Sequence, residues 1–394
     1  MYDFYLLDEE LTPEERQIRD AVREFVRKEV LPNIGEWWLK GEFPTHLIRA
    51  FGEMGLLGIT TPEEYGGLGL SKRVYGIVAR ELEYGDSGIR SFVSVQNSLV
   101  MYPILTFGSE EQKRKYLPKL ATGELVGCYG LTEPDAGSDP GSMKTRARKV
   151  QGGYVLNGTK MWITNGSISD IAIVWAKDDE GVVRGFIVER DFKGFSTQDI
   201  KTKISLRASV TSELILEDVF VPEENVLPKA RGLKAPLMCL TQARYGIAWG
   251  AVGVGMAVLE EAVNYAKERI VFGRPLTHYQ ITQEKLADML ADLTKIQLMV
   301  YRLADLMDSG RATFRHVSMA KREAVRTAKR MAEKARGLLG ANGITAEYHS
   351  MRHMANMEAV ETYEGTYEVH TLILGEYVAG VPAYRICSEE VCGE

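Results

Sequence analysis

The apolar residues of this chain change their period twice, and that change limits the possible folds more than any single motif. From Asp8 to about Leu125 they recur at the three-to-four spacing of helices. Near Val126 alternation and short apolar runs take over, and after Pro236 the helical period returns and holds almost to the end. The expected organisation is an all-α N-terminal domain over residues 1–125, a β domain over 126–232, an α-helical C-terminal domain over 233–385 and a polar tail over 386–394. At 394 residues the chain is long enough for two or three such domains.

Local signals fill in this outline. Thr12, Pro13 and Glu15 read as the N-cap, first position and capping-box partner of a first helix that Pro32 brings to an end. Ser109 and Gln112 form a second capping box before a helix with Tyr116 and Leu120. In the middle third, Asn157-Gly158 between two apolar triplets predicts a hairpin turn. Asp178-Asp179-Glu180-Gly181 between 171–176 and 184–189 predicts another, and 213–221 reads as a strand. Leu286, Met289, Leu290, Leu293, Ile296 and Val300 form one apolar stripe near the end, and Ala324, Ala328, Met331 and Ala335 form a second.

Composition excludes several classes. With 48 basic against 54 acidic residues the net charge is −6, which argues against a surface that holds nucleic acid by counterion release. Cys128, Cys239, Cys387 and Cys392 are too scattered for a disulfide framework, so a reducing compartment is expected. The uncharged run 245–259 is shorter than the roughly 18 apolar residues of a membrane span, so it reads as a buried helix with no membrane insertion. Gly246, Gly250 and Gly253 would let that helix pack closely. The acidic Asp8-Glu9-Glu10 is unlike a basic leader, and a cytoplasmic address is expected.

Chemistry-bearing motifs are few. No Walker loop or dinucleotide fingerprint lies between a strand and a helix, and Gly66-Gly67-Leu68-Gly69 reads as a turn. His349 and His353 are four apart, but no third ligand accompanies them, and no metal site is expected. The polar, turn-forming segment from Tyr129 to Asp139 follows the apolar run 125–128, a place where ligand sites gather. Glu364 lies between Tyr363 and Gly365; by spacing alone it is either a solvated helix-end carboxylate or an acid desolvated into a useful base.

The segment 129–139, Trp162-Ile163-Thr164-Asn165, the stretch 266–273 with Arg269, Leu339-Gly340-Ala341-Asn342-Gly343 and Tyr363-Glu364-Gly365-Thr366 together resemble the signatures of the acyl-CoA dehydrogenase family, in order and up to about Tyr384. Residues 86–91, 94–101 and 243–250 are most similar to its glutaryl-CoA dehydrogenase branch. The resemblance implies an α+β multidomain fold with a barrel-like or sandwich-like middle domain and a C-terminal four-helix bundle. It also implies FAD as cofactor and α,β-dehydrogenation of an acyl-CoA, with electrons passed to an electron-transferring flavoprotein.

By the same resemblance Glu364 is the catalytic base, and its N–H together with a flavin ribityl hydroxyl would hold the thioester oxygen. Some relatives supply the base from the position of Ala243, which has no acid here. Tyr129, Leu131, Thr132, Gly137, Ser138, Trp162, Ile163, Thr164, Thr366 and Glu368 are implied near the flavin. Arg269, Phe272, Gln280, Gln283, Leu339, Gly340, Asn342 and Gly343 are implied at its pyrophosphate and adenine ends across a subunit interface. Such sharing implies a homotetramer, a dimer of dimers. Ser138, Leu237, Leu240, Arg244, Tyr363 and Gly365 would line the acyl-CoA channel.

Arg90 decides the branch. A glutaryl chain brings a distal carboxylate into an apolar pocket, and a guanidinium fork suits it. Ser91 would add a hydrogen bond, and Glu83 would compete for Arg90. The implied products are crotonyl-CoA and CO2. A non-decarboxylating or short-chain enzyme of the same fold is the nearest alternative, and a catalytically silent scaffold is an alternative of another class. From the residues alone, Arg90 also reads as a helix-end surface arginine.

Overall fold

The computed structural model describes residues 2–384; the tail with Cys387 and Cys392 lies outside them. Seven helices come first: α1 (Pro13–Phe25), α2 (Ile34–Lys40), α3 (Leu47–Glu53), α4 (Lys72–Gly85), α5 (Ser87–Ser94), α6 (Tyr102–Phe107) and α7 (Glu110–Thr122). Eight strands follow: β1 (Gly127–Gly130), β2 (Arg146–Val150), β3 (Gly153–Thr164), β4 (Ile171–Lys177), β5 (Val183–Glu189), β6 (Phe195–Asp199), β7 (Thr211–Pro222) and β8 (Val226–Arg231). The chain then runs through α8 (Lys234–Glu268), a small hairpin of β9 (Ile270–Val271) and β10 (Arg274–Pro275), α9 (Gln280–Asp308), α10 (Phe314–Leu338), α11 (Ser350–Thr362) and α12 (Tyr367–Ala379).

Both capping boxes form: Thr12 with Glu15 opens α1, and Ser109 with Gln112 opens α7. A π-helical turn, Val26–Val30, ends the first helix just before Pro32. The first strand sits slightly later than its apolar run suggests, because Gly127 to Gly130 pair in parallel with Ile171 to Val174 of β4.

The strand order is β6-β7-β3-β2-β4-β5-β8, with β1 alongside β4. The two halves of this sheet join through a single register pair, Arg146 with Lys177. Leu156, Leu214 and Val219 from one half share a core with Ala172, Val174 and Phe186 from the other, so the sheet folds over on itself. The Asp178–Gly181 turn joins β4 to β5 as expected.

The hairpin expected at Asn157-Gly158 does not form. Both residues lie inside the continuous strand β3, and the β2–β3 turn is at Gln151-Gly152. Asn157 instead exchanges two 2.9 Å hydrogen bonds with Asp218 on β7, at a bulge where Gly158 takes φ 150°. Only glycine fits there, since a Cβ would stand 2.4 Å from Thr145 Oγ1. An Asn-Gly pair marks a break in ladder geometry, and here the break is a bulge.

The central helix α8 is long and apolar enough to cross a bilayer by length and composition, contrary to the expectation from its uncharged run, yet most of that stretch is buried inside the protein. Its partners are α4, α9 and α10, and one apolar core runs through Val74, Ile77, Trp249, Val252, Leu293, Val325 and Met331. Gly253 lets α4 approach so closely that a Cβ there would stand 2.0 Å from the Arg80 carbonyl. A second core joins the sheet (Tyr129, Leu131, Trp175, Leu227) to Val100, Ile104 and Leu117 and to Ala235, Cys239 and Ala243 at the start of α8. The end of β1, the start of α8 and the C-terminal helices thus converge.

Candidate active site

Four residues, Tyr363 to Thr366, connect α11 to α12. Thr366 caps α12 by accepting the Val369 N–H at 3.2 Å. Glu364 has φ 51° and Gly365 φ 96°. A left-handed glutamate costs about 1–2 kcal/mol and persists only where its surroundings enforce it. Two buried cations do so. Arg244 Nε donates to the Glu364 carbonyl at 2.6 Å, and Lys321 Nζ donates to the carbonyls of Glu361, Tyr363 and Gly365 at 3.1, 3.0 and 2.8 Å. Gly365 cannot be replaced, since a Cβ would stand 2.8 Å from His370 Nε2.

The Glu364 carboxyl is half-buried, and its enclosed Oε2 has no hydrogen-bond partner among the described residues. Desolvation pushes its pKa up to about 7, while Arg244, Arg90 and Lys321 pull it down. Burial likewise pushes Lys321 down to about 7, and Arg244 and Arg90 add to that effect. The solvated reading of Glu364 is therefore corrected: it is an acid poised near neutrality.

Arg90 is buried on α5 and is not at the surface. Its Nε donates to Glu83 Oε2 at 2.6 Å, its Nη1 to Ser94 Oγ at 3.3 Å, and its Nη2 to the Tyr363 hydroxyl. Burial works against the charge, but Glu83 and the Tyr363 hydroxyl together more than offset it and the guanidinium stays protonated. Ser91 is buried next to it in the same helix. Glu83 has room because Gly250 faces it; a Cβ there would stand 1.7 Å from Glu83 Oε2. Asp86 sets the position of α5. Its Oδ1 caps the helix at Gly88 N (2.6 Å), and its Oδ2 accepts from Arg352 and Asn356 of α11 at 2.5 and 2.8 Å. The helix that carries Arg90 is thereby tied to α11, whose C-terminus leads into Tyr363.

β1 and the segment after it approach from the sheet. Tyr129 is buried and donates to the Pro236 carbonyl at 3.0 Å. The Leu131 carbonyl accepts from the buried Lys160 at 3.0 Å, and Lys160 also pairs with Glu133 at 2.7 Å. Glu133 in turn accepts the N–H groups of Lys144 and Thr145. The Thr132 carbonyl takes the Met161 N–H at 2.8 Å. Trp162, next in β3, combines φ 63° with 55% exposure, while Ile163 turns into the sheet core and Thr164 is half-buried. Gly137 and Ser138 are exposed, and Gly137 has open space beside it. Leu237, Leu240 and Arg244 fall on one face of α8 at three-four spacing. Ala243 is fully buried, and Glu368 is exposed in the first turn of α12.

The remaining predicted residues form a separate group. Phe272, 93% exposed with φ 48°, and Gly273 form the β9–β10 turn. Arg269, Gln280 and Gln283 are exposed around it. Asn342 donates to Tyr265 Oη at 3.1 Å, which brings the turn of Leu339, Gly340 and Gly343 to the same end. Leu338 lies 17 positions beyond Lys321 in α10, about 25 Å along the helix. Among the described residues no hydrogen bond or ion pair joins this group to the Glu364 cluster.

Sequence reasoning missed Lys321, His370, the Lys160–Glu133 pair and Asp86–Arg352. A signal existed for Lys321, which stands three residues before Ala324 on an apolar stripe where a lysine is out of place. Among the described residues no group of three potential metal ligands occurs.

Family models match three consecutive segments: the acyl-CoA dehydrogenase N-terminal domain over residues 12–124, the middle domain over 128–219 and the C-terminal domain over 230–379. A protein named acyl-CoA dehydrogenase from Bacillus subtilis is 40% identical over 94% of this chain and 99% of its own length. A crystal structure of glutaryl-CoA dehydrogenase from Mycobacterium smegmatis superposes with a TM-score of 0.94 at 50% identity, covering 96% of this chain and 98% of the other. A glutaryl-CoA dehydrogenase from the same organism in complex with FADH2 gives 0.95 at 47% identity, with 97% and 98% covered.

Proposed function

This chain belongs to the acyl-CoA dehydrogenase family, and from that premise we propose that it oxidises glutaryl-CoA and releases CO2 to give crotonyl-CoA. The cofactor is FAD. The residues fit such a group: Trp162 holds an exposed aromatic face at a strained backbone position, Gly137 leaves open space, and the Glu364 Oε2 is enclosed without a partner. Leu131, Thr132, Trp162 and Thr164 would hold its ring. The exposed group around Arg269, Phe272, Gln280, Gln283 and Asn342 would hold the pyrophosphate and adenine ends of a neighbouring subunit's FAD, in a dimer of dimers. FAD supplies the acceptor for the hydride that leaves the β-carbon, and electrons pass on to an electron-transferring flavoprotein.

The residues of the chain do the rest. The Glu364 carboxylate takes the α-proton, and its own N–H donates to the thioester oxygen where negative charge develops. Arg90 pairs with the distal carboxylate. After oxidation the bond to that carboxylate breaks, CO2 leaves, and its electron pair enters the conjugated thioester as a dienolate. Glu364, now protonated, returns its proton to the terminal carbon. Glu83 shares Arg90 with the substrate, so the carboxylate is not held too firmly to leave.

The observation that carries this reading is the buried Arg90–Glu83–Tyr363 cluster, one residue from the base. Anaerobic titration with glutaryl-CoA followed by product analysis tests it: crotonyl-CoA and CO2 are expected, and accumulating glutaconyl-CoA would refute decarboxylation. A second reading, a non-decarboxylating or short-chain enzyme, draws on the 2.6 Å pairing in which Glu83 already neutralises Arg90. A cytoplasmic address completes the proposal.

A further inference from the structure

At the α-carbon and the thioester the proposed chemistry uses one carboxyl and one main-chain N–H, both from Glu364, and it does not use Lys321. Yet this lysine is 1% exposed, pairs with no carboxylate among the described residues, and spends all three ammonium protons on main-chain carbonyls around that glutamate. A buried cation satisfied only by carbonyls is unusual, because an ion pair or an apolar side chain would be the stable alternative.

Its geometry bears on the N–H. The peptide between Tyr363 and Glu364 is planar and trans, so its C=O and N–H point in opposite directions. Lys321 holds the Tyr363 carbonyl at 3.0 Å and thereby turns the Glu364 N–H away from α10. Among the described residues that N–H makes no hydrogen bond. The next two carbonyls are taken by Arg244 of α8 (2.6 Å) and again by Lys321 of α10 (2.8 Å), so the carbonyl of every residue from Tyr363 to Gly365 is held by one of these two side chains. The left-handed Glu364 follows from that clamp.

We propose that Lys321 is a positioning residue for the reaction: by holding the Tyr363 and Gly365 carbonyls it aims the Glu364 N–H at the thioester oxygen and keeps the Glu364 carboxyl at the substrate α-carbon. The proposal rests on the reading of Glu364 as the base. Lys321 also acts through its charge, alongside the other groups around the carboxyl: Arg244 on α8, Arg90 on α5, Tyr75 on α4, Tyr129 in β1, Glu361 on α11, Tyr363 in the connector after it, and His370 on α12.

Acetyl-CoA gives a clean probe, because it has α-protons but no β-hydrogen to lose. The FAD-loaded parent, Lys321→Met, Lys321→Gln and Glu364→Gln are compared for exchange of the acetyl protons with deuterium oxide. The same proteins are assayed for kcat and KM with glutaryl-CoA across pH. Flavin content and melting temperature report folding, and Lys321→Gln keeps a donor should Lys321→Met fold poorly. In the lysine variants exchange and kcat are expected to fall about tenfold or more, with KM within about threefold. The acid limb of the pH profile is expected to move upward, because a cation that favours the carboxylate is gone. Folded lysine variants with parental exchange and an unmoved limb, while Glu364→Gln is silent, would overturn the role of Lys321 alone. Exchange that persists in Glu364→Gln would overturn the base assignment and this proposal with it.

Discussion

Arg244 donates its Nε to the main-chain carbonyl of Glu364 at 2.6 Å, so the cation that acts most on the Glu364 carboxyl grips the backbone of that residue and not its carboxyl. Charge and geometry are thus set by one contact. Among the described residues Glu364 Oε2 has no partner, as the proposed base requires, and Arg244 still draws the carboxyl toward the ionised form.

Replacing the proposed base is the most direct test. Glu364→Gln is expected to keep FAD and lose reduction of the flavin by glutaryl-CoA by about 10³-fold or more. Stopped-flow bleaching under anaerobic conditions measures this, and near-normal bleaching would place the base elsewhere.

The same residue links pH to stability. Its carboxyl pKa is raised from 4.5 to about 7, chiefly by desolvation. Below about 4.5 it is protonated in both folded and unfolded chains; as pH rises toward 7 the unfolded chain ionises first, and folding loses stability. Glu364→Gln should therefore melt higher than the parent above pH 7 and match it near pH 4.5. Activity in the parent should rise through pH 7 as the base ionises. A melting difference that does not change with pH would contradict the burial of this carboxyl.

Arg90→Met is expected to lower turnover of glutaryl-CoA far more than that of butyryl-CoA. It also strands Glu83 as a buried carboxylate, at a cost of about 3–5 kcal/mol, and adding Glu83→Gln should restore much of that stability. Equal losses on both substrates would remove Arg90 from the acyl site.

At Gly250 a single methyl suffices. The Cβ of Gly250→Ala would meet Glu83 Oε2 at 1.7 Å and Arg90 Nε at 3.1 Å, so the carboxylate must swing off its partner. A stability loss of about 1–3 kcal/mol and a selective defect on glutaryl-CoA are expected. Parental denaturation midpoint and selectivity together would show that the α4–α8 contact can give.

The legible parts of the sequence were those in which local physics decides the outcome. Thr12 with Glu15 and Ser109 with Gln112 cap helices through contacts three residues apart. The stripe of Met289, Leu293, Ile296 and Val300 is buried because a helix brings those positions to one face. Gly250 and Gly253 on an uncharged helix announced a close helical partner, although only the fold identified it as α4. Asn157-Gly158 was misleading because the signal for a tight turn is also the signal for a bulge. The partner that separates the two is Asp218, 61 residues away.

The sequence by itself therefore determined the helical, β, helical order, the family, and the presence of one carboxylate between an aromatic residue and a glycine. Whether that carboxylate is solvated or poised near neutrality was decided only in the tertiary structure, because desolvation and the nearby cations come from α5, α8 and α10, far apart in the chain. The same holds for Arg90. Its charge is written in the sequence, but its burial against Glu83 and Tyr363 exists only once α4, α5 and the end of α11 have met.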